Sequence, residues 1–497
     1  MKMKLTKRQQ GMLDGKYGEA KAFCMDKLVD FGQAVEATEM VDLTLVLNEC
    51  PIWSKDPRNP ETLEKLNAYD LGHSRLYDPI FAMKDAHVAD ETGCQCGNDP
   101  YFVQFDKVNE KGYPWNFEIP GKGSFKIDDE MYRDLKAGYD KLLEHGWLPW
   151  SSCNPYLNTR IPKMGEYAAS SESSAACYIN TVLGARTNRE SPVNTVYCAY
   201  TGCLPKYGSH LDENRAAKCI VELDDEVRDN LKGMADYGAL GAVIANKAEN
   251  RIMAVLNLPI GRMSSGATKN LISCASPGMN DPILHLMGIT PESPTLEAAF
   301  KGKMPKNPER YTVTMDDLVE MYRYLNNLAP APGPERAKPV DIVIIGCPHA
   351  TFDEVREVAR LVKGKKVKEG VQLWVQTDTP SYFMAQHYGD TKTIEDAGGH
   401  IFHQTCMAMT PFRHYPKNTV IATSSFKYVK LGAGFGSEGT TWIYGNPESI
   451  VNAAITGVFT PTARWDYWSQ PREKRLASEE ENEANAAKRL VDLPFLN

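Results

Sequence analysis

The residues best suited to chemistry are the cysteines, and twelve are many for one chain of 497 residues. They are scattered, unlike the dense framework of a short secreted domain, so a reducing compartment is expected and most should be small buried thiols. Two positions stand out because local signals place them together. Cys347 follows VDIVII (340–345), a β-branched and almost continuously apolar run of the kind that forms a strand buried on both faces. Cys406, in HQTCMAM, follows the strand expected over His400–Gln404. Ligands gather outside the carboxyl ends of strands in an open parallel sheet, so both thiols belong at one rim. Cys347 also precedes a helix start, where aligned backbone dipoles favour the thiolate that metal binding requires. The pair reads as a metal or redox site, or as two small residues filling tight strand ends.

Other cysteines carry less. Cys153 lies in the turn-rich PWSSCNPYL, where Ser151, Ser152 and Asn154 offer local hydrogen bonds, and by itself gives no signal. Cys94 and Cys96 form a C-x-C without a matching second pair, which reads as loop cysteines, with a thiol redox pair as the alternative.

The elements that must position these residues fall on two sides of Leu328–Pro339, LAPAPGPERAKP, whose four prolines and one glycine read as an extended linker. After it, strand and helix alternate through residue 463. Gly346-Cys347-Pro348-His349 breaks the first strand, Thr351 to Glu354 offers a capping box for a helix through Lys363, and further strands are expected at Val371–Gln376, near His400–Gln404 and at Thr419–Thr423. That alternation argues a parallel sheet with helices on its faces. Residues 1–327 form a mixed α/β region, with helical patterns over Leu5–Val35, Asp128–Glu144 and Leu223–Leu240. Asp236–Asn246 reads as a glycine-punctuated helix end leading into a strand, and residues 67–123 as an insertion. Residues 464–497 are a charged tail, either a solvated helix or an arm packed on another subunit.

The formal net charge is -8 with no basic stripe, which argues against nucleic acid or an anionic membrane as the main partner. No run approaches the roughly 18 apolar residues of a membrane span, and MKMKLTKRQQGML lacks an apolar signal core. A soluble cytoplasmic protein is expected.

A resemblance then becomes specific. SCNPYL (152–157), SSESSAACYINTVLGARTNRE (170–190), YGSHLDENR (207–215), LHLMGITPE (284–292), GCPH (346–349) and QTCMAM (404–409) resemble, in order, the successive motifs of the aconitase X family. AGFGSEG (433–439) is similar to its late glycine-serine turn, and LTKRQQGMLDGKYGEA to its first helix. The resemblance implies aconitase-like stacked α/β/α layers with mostly parallel sheets. It implies an iron-dependent hydro-lyase acting on a small hydroxy acid, as in cis-3-hydroxy-L-proline dehydratases and the large subunits of mevalonate 5-phosphate dehydratases. Carried over motif by motif, the metal ligands fall on Cys153, Cys347 and Cys406, holding an iron–sulfur cluster (4Fe-4S or 2Fe-2S) or a mononuclear iron. Three thiolates leave an open position where a substrate hydroxyl can bind and become a better leaving group.

Around that site, Arg186 and Arg189 can grip a carboxylate or phosphate through their forked donors, or can belong to an Arg–Glu network with Glu190 and Glu172. Asn188 and Ser173 can supply neutral hydrogen bonds. His210 can shuttle a proton or steady a metal-bound water, or be a satisfied structural histidine. Ser425 and Lys427, in TSSFKYVK, resemble a Ser/Lys substrate-contact segment. Two departures bear on the substrate: LVLNECPIW (45–53) stands where the family carries a His-Val-Ser-Gly-like stretch, and residues 67–123 are longer than usual. Aconitase-type enzymes complete the site with a small swivelling domain that brings a serine base. None is seen here, so a separate small subunit is expected. The competing reading is a ligand-binding or iron-sensing homologue that has lost dehydration.

Overall fold

The computed structural model describes residues 3–48, 80, 83–89, 95–96, 117–125, 140–148, 152–157, 161–326, 337–404, 415–429, 439–460 and 470–475. Three mostly buried parallel sheets organise them. In the N-terminal sheet, Leu45–Asn48 lies between Gln95–Cys96 and Ala168–Ser170. The middle sheet has the order His285–Leu286, Met253–Leu256, Cys219–Leu223, Arg310–Val313. The C-terminal sheet has the order His400–His403, Gln372–Thr377, Ile342–Ala350, Val420–Thr423, Thr441–Tyr444.

Read in chain order, the C-terminal strands run 3-2-1-4-5. The order therefore reverses beside Ile342–Ala350, and a ligand crevice opens at such a switch point. Alternate residues of this strand feed two cores. Val343 and Ile345 pack under the amphipathic helices Phe352–Val362 and Pro447–Thr456. Ile342 and Ile344 face the core built by the helices Lys7–Leu13, Glu19–Ala34 and Pro192–Thr201. A strand sandwiched in this way has no polar face, which is why its sequence is a continuous apolar run. The expected strands are all present, and the capping box Thr351/Glu354 starts the helix after the first of them.

Several expectations are corrected. Ile342–Ala350 runs through Gly346-Cys347-Pro348-His349 instead of stopping there, but its register shifts between Ile345 and Ala350 and the Cys347–Pro348 peptide is cis. Asp236–Asn246 is not a helix end leading into a strand; it lies inside the helix Met234–Lys247. Its glycines are points of close approach: a Cβ on Gly241 would sit 2.1 Å from the carbonyl oxygen of Leu271 in the helix Ser265–Ala275. The pattern over Leu223–Leu240 is two helices, since Asp225–Asn230 ends before Met234. Leu5–Val35 is also split, by a turn whose Gly15 and Gly18 have φ of +79° and +100°.

Of the linker, residues 328–336 lie outside the described residues, while Lys338–Pro339 pairs antiparallel with Val458–Phe459. In the charged tail, buried Arg475 pairs with Glu226 at 2.6 Å and Asp316 at 3.1 Å, packing residues 470–475 back onto the middle region. Among the described residues, no helix is long and apolar enough to cross a membrane.

Candidate metal and substrate site

Gly346 makes the register break possible. Its φ is +109°, and a Cβ there would lie 1.9 Å from the carbonyl oxygen of Gln376 on the neighbouring strand, so only glycine fits. The break lifts Cys347 out of the ladder at the carboxyl end of the strand, at the switch point, where Ser425 follows the strand on the other side and favours the Cys347 thiolate.

Cys153 reaches the same place from the N-terminal region. Its segment continues into a short 3-10 turn, Pro155–Leu157, anchored by Tyr156 stacked on Tyr178 with ring centres 4.1 Å apart. The backbone N–H of His349 donates to the Cys153 sulfur at 3.2 Å. Asn154 Nδ2 donates to the His349 carbonyl at 3.0 Å, and the Ser152 hydroxyl lies 3.1 Å from His349 Nδ1. The segments bearing Cys153 and Cys347 are therefore stitched together, although nearly 200 residues separate them.

Burial pushes the Cys347 thiol up to about 12, with nearby Cys153 and Glu172 adding to the rise while Lys427 and the Ser425 hydrogen bond oppose it. A bound metal ion would favour the thiolate over the thiol at such a position. The donor set fits iron, since thiolates are the usual ligands of iron–sulfur centres. Cys406 lies outside the described residues, and among those described no group of three or more ligating side chains is found. Cys94 is also outside; Cys96 is in the strand beside Leu47–Asn48.

The other expected residues divide into two groups. Lys427 stands by the thiols: its ammonium contacts Glu172 and lies 3.2 Å from Ser174 Oγ. Glu172 in turn caps the helix Ser173–Thr181 by accepting from the Ala175 N–H, which places half-buried Ser173 on the first turn. The second group forms a network of its own. Arg186 donates to the His210 carbonyl at 2.8 Å and pairs with Asp212 at 2.5 Å. Asn188 donates to the Tyr207 carbonyl and accepts from the Ser209 N–H, and Glu190 accepts from the Tyr207 hydroxyl at 2.8 Å. Arg189 donates to the Ser276 carbonyl, and its buried Nε makes no hydrogen bond among the described residues. The arginines thus pair with Asp212 and a backbone carbonyl, while Glu172 pairs with Lys427.

His210 belongs to the second group. It is fully buried between the edges of Tyr167 and Tyr207. Burial pushes its pKa down to about 3, so the ring is neutral at pH 7.

Lys269 is a residue that the sequence reading passes over. Fully buried on the helix Ser265–Ala275, it donates to the carbonyls of Pro348 at 3.2 Å and His349 at 2.6 Å, and pairs with Glu354 at 2.6 Å. Its signal was a lone lysine on a helix whose other residues are small or apolar and almost all buried. Asp378, buried at the end of Gln372–Thr377, interacts with Asn154 and Lys269, and burial raises its pKa.

Comparison with known proteins identifies the family. Family models for the aconitase X first, second and third domains match residues 98–213, 217–323 and 340–456. A phosphomevalonate dehydratase large subunit of Methanosarcina mazei is 30% identical over 340 residues, covering 66% of this chain and 74% of that protein. The chain belongs to the aconitase X family. It is accordingly a hydro-lyase of the aconitase superfamily, with the aconitase-like α/β fold.

Within that family it is similar to the phosphomevalonate dehydratase large subunit of Methanocaldococcus jannaschii, at 29% identity over 90% of this chain and 99% of that one. It is also similar to the cis-3-hydroxy-L-proline dehydratase of Hypocrea jecorina, at 30% identity over 68% of this chain but only 54% of that protein. The crystal structure of Thermococcus kodakaraensis aconitase X in its holo form superposes with a TM-score of 0.69 at 25% identity, over 91% of this chain and all of that one. In aconitase X terms, Cys153 comes from the first domain, Lys269 from the second and Cys347 from the third.

Proposed function

We propose that this aconitase X chain is the large subunit of an iron-dependent dehydratase, with Cys153, Cys347 and Cys406 as the metal ligands. The observation that carries this reading is the convergence of Cys153 and Cys347 at the switch point, joined through the His349 N–H. When bound, the iron–sulfur cluster or single iron supplies Lewis acidity that makes a substrate hydroxyl a better leaving group.

The chain's own residues do the rest of the positioning. Lys427 holds a positive charge near the Cys347 thiol, where a substrate carboxylate can exchange with Glu172 for its ammonium. Ser425 orients the Cys347 sulfur. Ser173, Arg186, Asn188, Arg189 and Glu190 supply or brace further contacts from the 170–190 segment, with His210 as its neutral buried prop. A small subunit supplies the base, in keeping with relatives named as large subunits. Reducing cytoplasm suits the thiols, and no disulfide forms among the described cysteines.

A phosphorylated hydroxy acid of the mevalonate 5-phosphate type is the favoured substrate, because the match to such a large subunit runs over 99% of its length. The test is anaerobic co-expression with the small subunit, followed by assay of both substrate types. Water elimination from the phosphorylated acid supports the reading. Ligand-induced stabilisation without turnover of either acid would favour the non-catalytic homologue instead.

A further inference from the structure

A buried ammonium is costly, and an apolar pair of similar volume often serves stability as well as a buried ion pair does. Lys269 and Glu354 are nonetheless both buried, so what the ammonium does beyond filling space matters. Its three donors all have acceptors: the Glu354 carboxylate and two successive carbonyls, those of Pro348 and His349. The Pro348 carbonyl and the His349 N–H belong to one peptide unit, which is planar. Lys269 therefore grips the oxygen side of the unit whose N–H side points at the Cys153 sulfur. Asn154 adds a second bond to the His349 carbonyl, from the segment that carries Cys153. An apolar residue in its place could donate to neither carbonyl.

We infer that Lys269 is a positioning residue of the metal site: by fixing the Pro348–His349 peptide plane it aims the His349 N–H at the Cys153 sulfur, and so sets how tightly iron is held and at what potential it is reduced. The inference rests on the iron reading proposed above. Hydrogen bonds to ligand sulfurs stabilise their negative charge and are among the main determinants of cluster potential. The second domain would thereby act on a site whose nearby sulfurs come from the first and third.

The test uses the full chain, co-expressed anaerobically with its small subunit. The variant Lys269→Met/Glu354→Gln removes both buried charges while leaving an acceptor for the Thr351 capping box. Bathophenanthroline disulfonate should withdraw iron about tenfold faster than from the unaltered protein, in the range typical of outer-shell changes. The midpoint potential should fall, with the circular dichroism spectrum unchanged. Lys269→Gln/Glu354→Gln retains a shorter donor and should give an intermediate release rate; it also serves if the methionine variant does not fold. A release rate and potential equal to the unaltered protein's, in whichever variant folds, overturns the inference alone. An unaltered protein that binds no iron brings down the iron reading and this inference with it.

Discussion

The N–H of His349 donates to the sulfur of Cys153 at 3.2 Å across 196 residues of sequence, and Cys347 lies two residues before that donor. Together with the bonds of Ser152 and Asn154 to the same histidine, this contact fixes the relation between the segments that carry two thiols from different domains. It depends on the backbone leaving the ladder between Ile345 and Ala350, and the first prediction tests that departure.

Gly346→Ala should cripple the site. The added Cβ would meet a backbone carbonyl, which cannot move aside like a flexible side chain, and the residue sits at φ +109°. A loss of about 2–3 kcal/mol is expected from overpacking and strain, together with loss of iron. Gly364→Ala, at φ +73° with nothing within 4 Å, supplies the control for strain alone. Urea unfolding and iron content are the measurements, and equal costs at the two positions would contradict the account.

Lys427→Met should leave the Glu172 carboxylate, with its side chain 1% exposed, buried and without its cation. Such a broken pair typically costs about 3–5 kcal/mol. Lys427→Met/Glu172→Gln should recover most of the stability but not the activity, because the site cation is still missing. A stability loss below about 1 kcal/mol in the single variant would be inconsistent with a buried pair.

The pH dependence of stability should carry the mark of His210. Its folded pKa, about 3, lies below the ordinary value of 6.5. Above pH 6.5 both states are neutral at this ring and it contributes no slope. As pH falls below 6.5 the unfolded chain takes up a proton that the folded one refuses, so stability drops by about 1.4 kcal/mol per unit until pH approaches 3. His285, pushed by burial to about 4, acts in the same direction. Between pH 7 and pH 5, His210→Gln should therefore lose about 2 kcal/mol less than the unaltered chain. Parallel stability curves would show that the ring is protonated in the fold.

The legible parts of the sequence were those governed by local pattern. The C-terminal sheet could be read because a strand buried on both faces has to be apolar throughout, and Thr351/Glu354 marks a helix start within four residues. Cys347 was legible for the same reason. Cys153 was not, because its role is set by a hydrogen bond to a residue 196 positions away, and only the family motif pointed to it. Gly238 and Gly241 suggested a helix end, whereas they mark close approaches: a Cβ on Gly241 would run into the Leu271 backbone of the next helix, and one on Gly238 into Tyr444 of the strand Thr441–Tyr444. Lys269 escaped notice because a solitary lysine is usually solvated, and its partners Pro348, His349 and Glu354 lie across a domain border.

The central claim is that Cys153 helps to hold iron, and anaerobic iron and sulfide analysis of Cys153→Ser beside the unaltered chain, each co-expressed with the small subunit, tests it most directly. The account predicts bound iron in the unaltered protein and, in a folded Cys153→Ser variant, loss of most of that iron with turnover reduced at least about 100-fold, beyond the usual effect of outer-shell changes. A folded Cys153→Ser variant with undiminished iron and turnover would contradict it.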